Sequence, residues 1–163
     1  MSLLDCHNHT AEWSDGRQSV EDILARAKEE GVRVGLSDHA GLGDFLNSID
    51  MLLAYADFLS QYPVARGVEI DLGRSILVAP DVRRKFDYVI GSVHGLELNG
   101  ARLGFSPLIK WLKGGFPDYD PGAVIKDWDI FFNAHLALLE KEFLSQKYDI
   151  LGHCTMLPAL ARA

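Results

Sequence analysis

The sequence predicts an α/β fold built on parallel strands, and two observations carry the prediction. Short apolar segments alternate with segments of helical period along the 163 residues, the pattern of strands joined by crossover helices. His and acidic residues recur at the ends of those apolar segments: His7 and His9, Asp38 and His39, Glu69, His94, His153. In parallel α/β folds, function gathers at the carboxyl ends of strands. Position and chemistry therefore agree.

The elements follow in order. Leu3 to His7 reads as a short buried strand. Ser19 to Glu30 reads as a helix that Ser19 caps, with Asp22 three residues on and Gly31 at its end. Its apolar residues Val20, Ile23, Leu24 and Ala27 recur at helical spacing. Val32 to Leu36 is the second strand and Ile49 to Leu59 the second helix, with Pro63 shortly after. Val64 to Ile70 is the third strand. Pro80 opens a short helix through Lys85, and Tyr88 to Ser92 is the fourth strand. A Gly- and Pro-rich loop runs from about Gly95 to Gly122. Trp128 to Gln146 reads as a long helix and Asp149 to Leu151 as a fifth strand.

Composition narrows the class. Hydrophobic residues make up 48% and charged residues 24%, the range of globular domains, and the length suits one domain over residues 1–163. No apolar run approaches the roughly 20 residues of a membrane span. The first residues lack a basic stretch followed by an apolar core. Cys6 and Cys154 then read as free thiols, and the expected location is the cytoplasm. A net charge of -7 argues against nucleic acid as partner, although bound divalent cations would offset charge locally.

Residues two apart in a strand share a face, so His7 and His9 project together, and neutral imidazole is the commonest ligand for transition metals. Cys6 alternates with them and points away. Glu69, between Val68 and Ile70, needs a partner if buried: a metal, or an arginine such as Arg66 or Arg74. Asp15 reads as a ligand or as the turn residue before Gly16. His135, among Phe131, Phe132, Leu138 and Leu139, reads as a helix-face residue. Cys154 reads as a neighbour of His153 rather than a soft ligand. Asp5 and Asp38 stand beside ligand positions, as partners that orient an imidazole. Asp38 alternatively assists proton transfer to a leaving group. Arg17, Arg74 and Arg102 are candidates for holding a phosphate. Trp111, Trp128, Phe105 and Phe116 pack loops, with Trp111 and Phe116 alternatively bordering a pocket.

Together the segments Asp5-Cys6-His7-Asn8-His9-Thr10, Ser14-Asp15-Gly16, Ser37-Asp38-His39 and Gly67-Val68-Glu69-Ile70-Asp71 resemble the signatures of the PHP (polymerase and histidinol phosphatase) superfamily. Phe86 to His94 and Tyr148 to His153 are similar to its histidinol-phosphatase branch. The resemblance implies a distorted seven-stranded β/α, TIM-like barrel that holds two or three divalent ions (Mn, Zn or Fe) and cleaves phosphate esters. It implies one metal on His7, His9 and Glu69, and a second on Glu69, His94 and His153. A third falls to His39 with Asp15. Asp38 and His39 are the expected catalytic residues, and the implied substrate is a small phosphate monoester, L-histidinol phosphate. The family's closing Asp-x-His signature has no counterpart after His153, so the barrel is expected to be incomplete at its C-terminus, with the first metal short of a ligand. The remaining readings are another phosphoesterase of the superfamily (acting on a nucleotide, a phosphotyrosine or nucleic acid) and a metal-binding domain without catalysis.

Overall fold

A computed structural model describes residues 3–73, 79–115, 118–145 and 148–154. Arg74, Phe116 and the expected last helical residue Gln146 lie outside these. The chain divides into two compact units, Met1–Gly91 with Tyr148–Ile150, and Ser92–Lys147 with Leu151–Ala163.

The first unit opens with β1 (Leu4–Asp5). Helix α1 (Val20–Glu30) starts where the Ser19 hydroxyl accepts the Asp22 N–H and stops at Gly31, whose φ of 66° is left-handed. Both ends are those the sequence predicts. Val20, Ile23 and Ala27 bury one face of it. Then come β2 (Arg33–Leu36) and a two-residue strand, β3 (His39–Ala40). Helix α2 (Ile49–Leu59) is capped by Ser48 and buries Leu52, Tyr55, Ala56 and Leu59. Strand β4 (Ala65–Asp71), the short α3 (Pro80–Arg83) and β5 (Tyr88–Ser92) follow. All five residues of β5 are buried, as in a parallel strand covered on both faces. The core gathers Leu36, Leu46, Leu52, Tyr55, Leu59, Val68 and Val89.

In the second unit the described part of the expected loop, residues 95–115 and 118–122, carries two strands, a helix and the start of a 3₁₀ turn. Strands β6 (Gly95–Leu98) and β7 (Ala101–Gly104) pair antiparallel, with Leu98 opposite Ala101. Asn99 and Gly100 form the two-residue connection with φ of 51° and 77°. Positive φ at both central residues is the signature of a type I′ turn, which Asn-Gly favours. Helix α4 (Phe105–Leu112), a 3₁₀ turn at Pro121–Ala123 and α5 (Trp128–Ser145) complete it. Phe105 packs on Phe131 and on His135, which is buried. His135 thus lies on the helix face that the sequence assigns it. Burial lowers its pKa, while a backbone hydrogen bond with Cys154 works against that.

Strand β8 (Ile150–Gly152) is the last described element. The main sheet runs β1-β2-β4-β5-β8, with β3 paired to β4. Leu4 is aligned with Arg33, Gly35 with Ala65, and His39 with Glu69, all in parallel. The architecture is mixed α/β on a mostly parallel sheet. Five strands lie along its path, and the seven implied by the resemblance are not reached among the described residues.

Candidate metal centre

The loop between β1 and α1, which carries His7, His9 and Asp15, and the strands β3 and β4 build the centre in the first unit. The strand expected to reach His7 ends at Asp5, because the ladder beyond it is carried by a side chain. The Asn8 amide donates to the Gly35 carbonyl at 3.2 Å, and Ser37 N–H donates to the Asn8 carbonyl at 2.9 Å. His7 and His9 therefore sit in the loop after β1 and still project together. Their rings stand edge to face with centroids 5.1 Å apart.

Glu69 is the hub. Its carboxylate has no solvent exposure and lies in β4 opposite His39. His7 Nε2 is 3.1 Å from one oxygen, while His9 Nε2 and His39 Nδ1 are 3.3 and 2.9 Å from the other. The His9 and His39 rings stack with centroids 4.3 Å apart. Asp15 reaches His39 Nε2 at 3.4 Å. Within the first unit two ligand groups result, His7–His9–Glu69 and His9–Asp15–His39.

The loop that carries His9 is clamped. Gly16 passes so close that a Cβ there would lie 2.2 Å from the His9 carbonyl oxygen, so only glycine brings Asp15 over this loop. Asp38, fully buried, accepts the Thr10 N–H at 2.6 Å and the Thr10 hydroxyl at 2.8 Å. Its own N–H donates to the Tyr55 phenol at 2.9 Å. Burial pushes the Asp38 carboxyl up to about 6, against the pull of the Thr10 and Tyr55 hydrogen bonds. Asp5 is exposed and accepts the His7 N–H at 3.3 Å. In the sequence Thr10 and Gly16 stand only as members of the signature segments and Tyr55 is unmarked; their supporting roles appear in the fold. The Thr10 contact joins residues 28 apart and leaves no local signal.

His94 and His153 belong to the second unit, where their rings meet edge to face with centroids 5.5 Å apart. His153 has a φ of 53°, a left-handed conformation that costs a non-glycine residue on the order of 1 kcal/mol or more. Arg66 pairs with Asp87 at 2.9 Å rather than with Glu69. Arg102 faces Glu97 across the β6–β7 hairpin at 3.7 Å, and Arg17 is exposed. Cys6 and Cys154 are free thiols.

The donor set fits a divalent cation. A buried carboxylate ringed by imidazole nitrogens is a nitrogen/oxygen site of the kind that takes Mn²⁺, Zn²⁺ or Fe²⁺. Metal ligation requires neutral imidazole. His9 meets that requirement: burial, then His39, pull its pKa down to about 4, with Glu69 opposing. Its second ring nitrogen, Nδ1, is buried without a hydrogen-bond partner among the described residues.

Parallel strands that gather imidazoles round one buried carboxylate define the class: an α/β protein with a histidine–carboxylate centre able to bind metal. The chain belongs to the PHP domain family, which it matches over residues 5–161. That family consists in general of metal-dependent hydrolytic phosphoesterases. A comparison with curated proteins returns no match. Among the described residues no helix is long and apolar enough to cross a membrane.

Proposed function

We propose that this chain is a cytoplasmic, metal-dependent phosphatase of small phosphate monoesters, with L-histidinol phosphate as substrate. The observation that carries the phosphoesterase reading is the convergence of His7, His9 and His39 on the buried Glu69 carboxylate. The choice of substrate rests on the likeness of Phe86 to His94 and Tyr148 to His153 to the histidinol-phosphatase branch. The net charge of -7 supports a small substrate over nucleic acid.

In this reading His7, His9 and Glu69 hold one ion, Glu69, His94 and His153 a second, and His39 with Asp15 a third. When bound, such ions neutralise phosphoryl oxygens and make water acidic enough to attack near neutral pH. The chain's own residues prepare that chemistry. Glu69 supplies negative charge from a site without solvent, where it acts at full strength. His9, neutral down to about pH 4, keeps its nitrogen available at every working pH. Asp38 holds Thr10, and through it the His9 loop, so that the ligand geometry is set in advance. In this reading His39, beside Asp15, would act on the phosphate. In the net reaction water adds to phosphorus and the alcohol leaves with a proton, giving histidinol and inorganic phosphate.

Metal content followed by phosphate release tests the proposal. Manganese loading and desalting should leave two or more ions per chain, as a two-metal site requires, and phosphate should appear from L-histidinol phosphate. Cleavage of single-stranded DNA or release from phosphotyrosine or a nucleotide instead would reassign the substrate. Metal uptake without turnover on any of these would leave a binding domain.

A further inference from the structure

We propose that Tyr88, on the strand farthest along the sheet from β1 within the first unit's β1-β2-β4-β5 run, is a positioning residue for the metal centre that acts through the Cys6 carbonyl. The inference rests on the reading of His7, His9 and Glu69 as metal ligands.

Tyr88 begins β5 and is 8% exposed. Its ring lies across the neighbouring strands over two glycines. A Cβ at Gly67 in β4 would sit 2.2 Å from the ring carbon that bears the hydroxyl, and one at Gly35 in β2 would sit 2.4 Å from the hydroxyl oxygen. Any side chain at either position would displace the ring. The two glycines thus clear a path from β5 to the end of β1. There the Tyr88 hydroxyl donates to the Cys6 carbonyl at 2.6 Å. The Ser37 hydroxyl donates to the same oxygen at 3.1 Å, so both of its lone pairs are used.

Cys6 immediately precedes His7. A carbonyl held from two directions fixes the peptide plane that it shares with the His7 nitrogen, and so fixes where the His7 side chain starts. β1 itself has only two residues, and the next backbone bond, from Ser37 N–H to the Asn8 carbonyl, lies beyond the Cys6–His7 peptide. A phenol that only filled space would need neither the short bond nor a carbonyl one residue from a ligand. Partners outside the ligand set commonly tune metal affinity by orienting the ligands.

Tyr88→Phe keeps the ring over Gly35 and Gly67 and deletes only the hydroxyl. Mn²⁺ affinity, titrated by electron paramagnetic resonance, should fall about 10- to 100-fold. In the metal-free protein the amide signals of His7 and Asn8 should shift by NMR, a change that loss of stability alone does not produce. Ser37→Ala, which removes the second donor to the same oxygen, should weaken Mn²⁺ binding in the same direction but less. Wild-type affinity in Tyr88→Phe overturns the assignment. If Tyr88→Phe does not fold, unchanged affinity in Ser37→Ala overturns it and weakened affinity supports it. A wild-type chain that binds no Mn²⁺ overturns this inference together with the metal reading. A wild-type chain that binds Mn²⁺ as well as both variants do overturns the inference alone.

Discussion

The histidines of the first unit and those of the second are held by different means. His39 is aligned with Glu69 by parallel strand pairing, so forming the sheet brings the two ligands together. His7 and His9 reach the same carboxylate from a loop that Gly16 and the Asp38–Thr10 bonds clamp. In the second unit His153 instead takes a left-handed φ of 53° just past β8, edge to face with His94. Sheet register and buried hydrogen bonds preorganise the first group. In the second group one left-handed residue, His153, carries local backbone strain that the surrounding fold must sustain.

The largest expected effect tests that contrast directly. Glu69→Gln removes the charge at the hub and should abolish metal pairing, with a loss of Mn²⁺ affinity beyond the roughly 100-fold upper range for partners outside the ligand set. His153→Ala should cost one ion and spare the rest. Counting bound ions in each variant checks both statements. Loss of a single ion from each would break the comparison, because Glu69 would then bridge nothing.

Acid should act next, through the first group. His9 has a folded pKa of about 4 against 6.5 unfolded, so below pH 6.5 the unfolded chain binds the extra proton. Its stabilisation is present above pH 6.5 and is lost as pH falls toward 4. The size is on the order of 2 kcal/mol once partial exposure is discounted. Asp38 works in the opposite sense. Its folded pKa of about 6 lies above the ordinary 3.8, so its contribution falls as pH rises through that window. Subtracting the metal-free urea-denaturation profile of His9→Gln from that of the wild type isolates the histidine. A difference that does not shrink between pH 6.5 and 4 would refute the assignment.

Much of the first unit was legible in the sequence because its signals are local. The Ser19 cap, the Gly31 stop and the spacing of Val20, Ile23 and Ala27 all lie within a dozen residues, and α1 and α2 end where those signals put them. The candidate ligand positions were legible as His and acidic residues that recur at or just past strand ends. Their supports were not. Thr10 bonds to Asp38 across 28 residues and Tyr88 to Cys6 across 82, and only the folded chain brings such pairs together. The short β3 was missed because two residues carry no period. Asn8 shortened β1 by replacing a ladder bond with its side chain.

Removing one such long-range support should cost less than acid does. Thr10→Ala deletes the hydroxyl that donates to Asp38 and accepts the Trp13 N–H. It should destabilise the protein by about 1–2 kcal/mol, much of it from a buried carboxylate oxygen left short of a donor. Denaturation of the metal-free protein measures it. A loss under a few tenths of a kcal/mol would mean that the clamp on the His9 loop is held elsewhere.

The smallest effect belongs to the second unit, where a local signal was present and passed over. Asn99-Gly100 between Leu96, Leu98 and Leu103 is a strong short-range hairpin cue, hidden within a Gly- and Pro-rich stretch that reads as loop. Gly100 sits at φ 77° with open space where a Cβ would go. Gly100→Ala therefore meets no clash, and its cost is conformational alone, about 1 kcal/mol. Asn99→Gly, which relaxes the neighbouring positive φ, should offset strain with added chain entropy and change stability by less than about 0.5 kcal/mol. Equilibrium unfolding of the two variants separates these expectations. If Gly100→Ala proved neutral, the turn would not need its left-handed glycine, and the hairpin would owe its register to the side-chain pairs of β6 and β7.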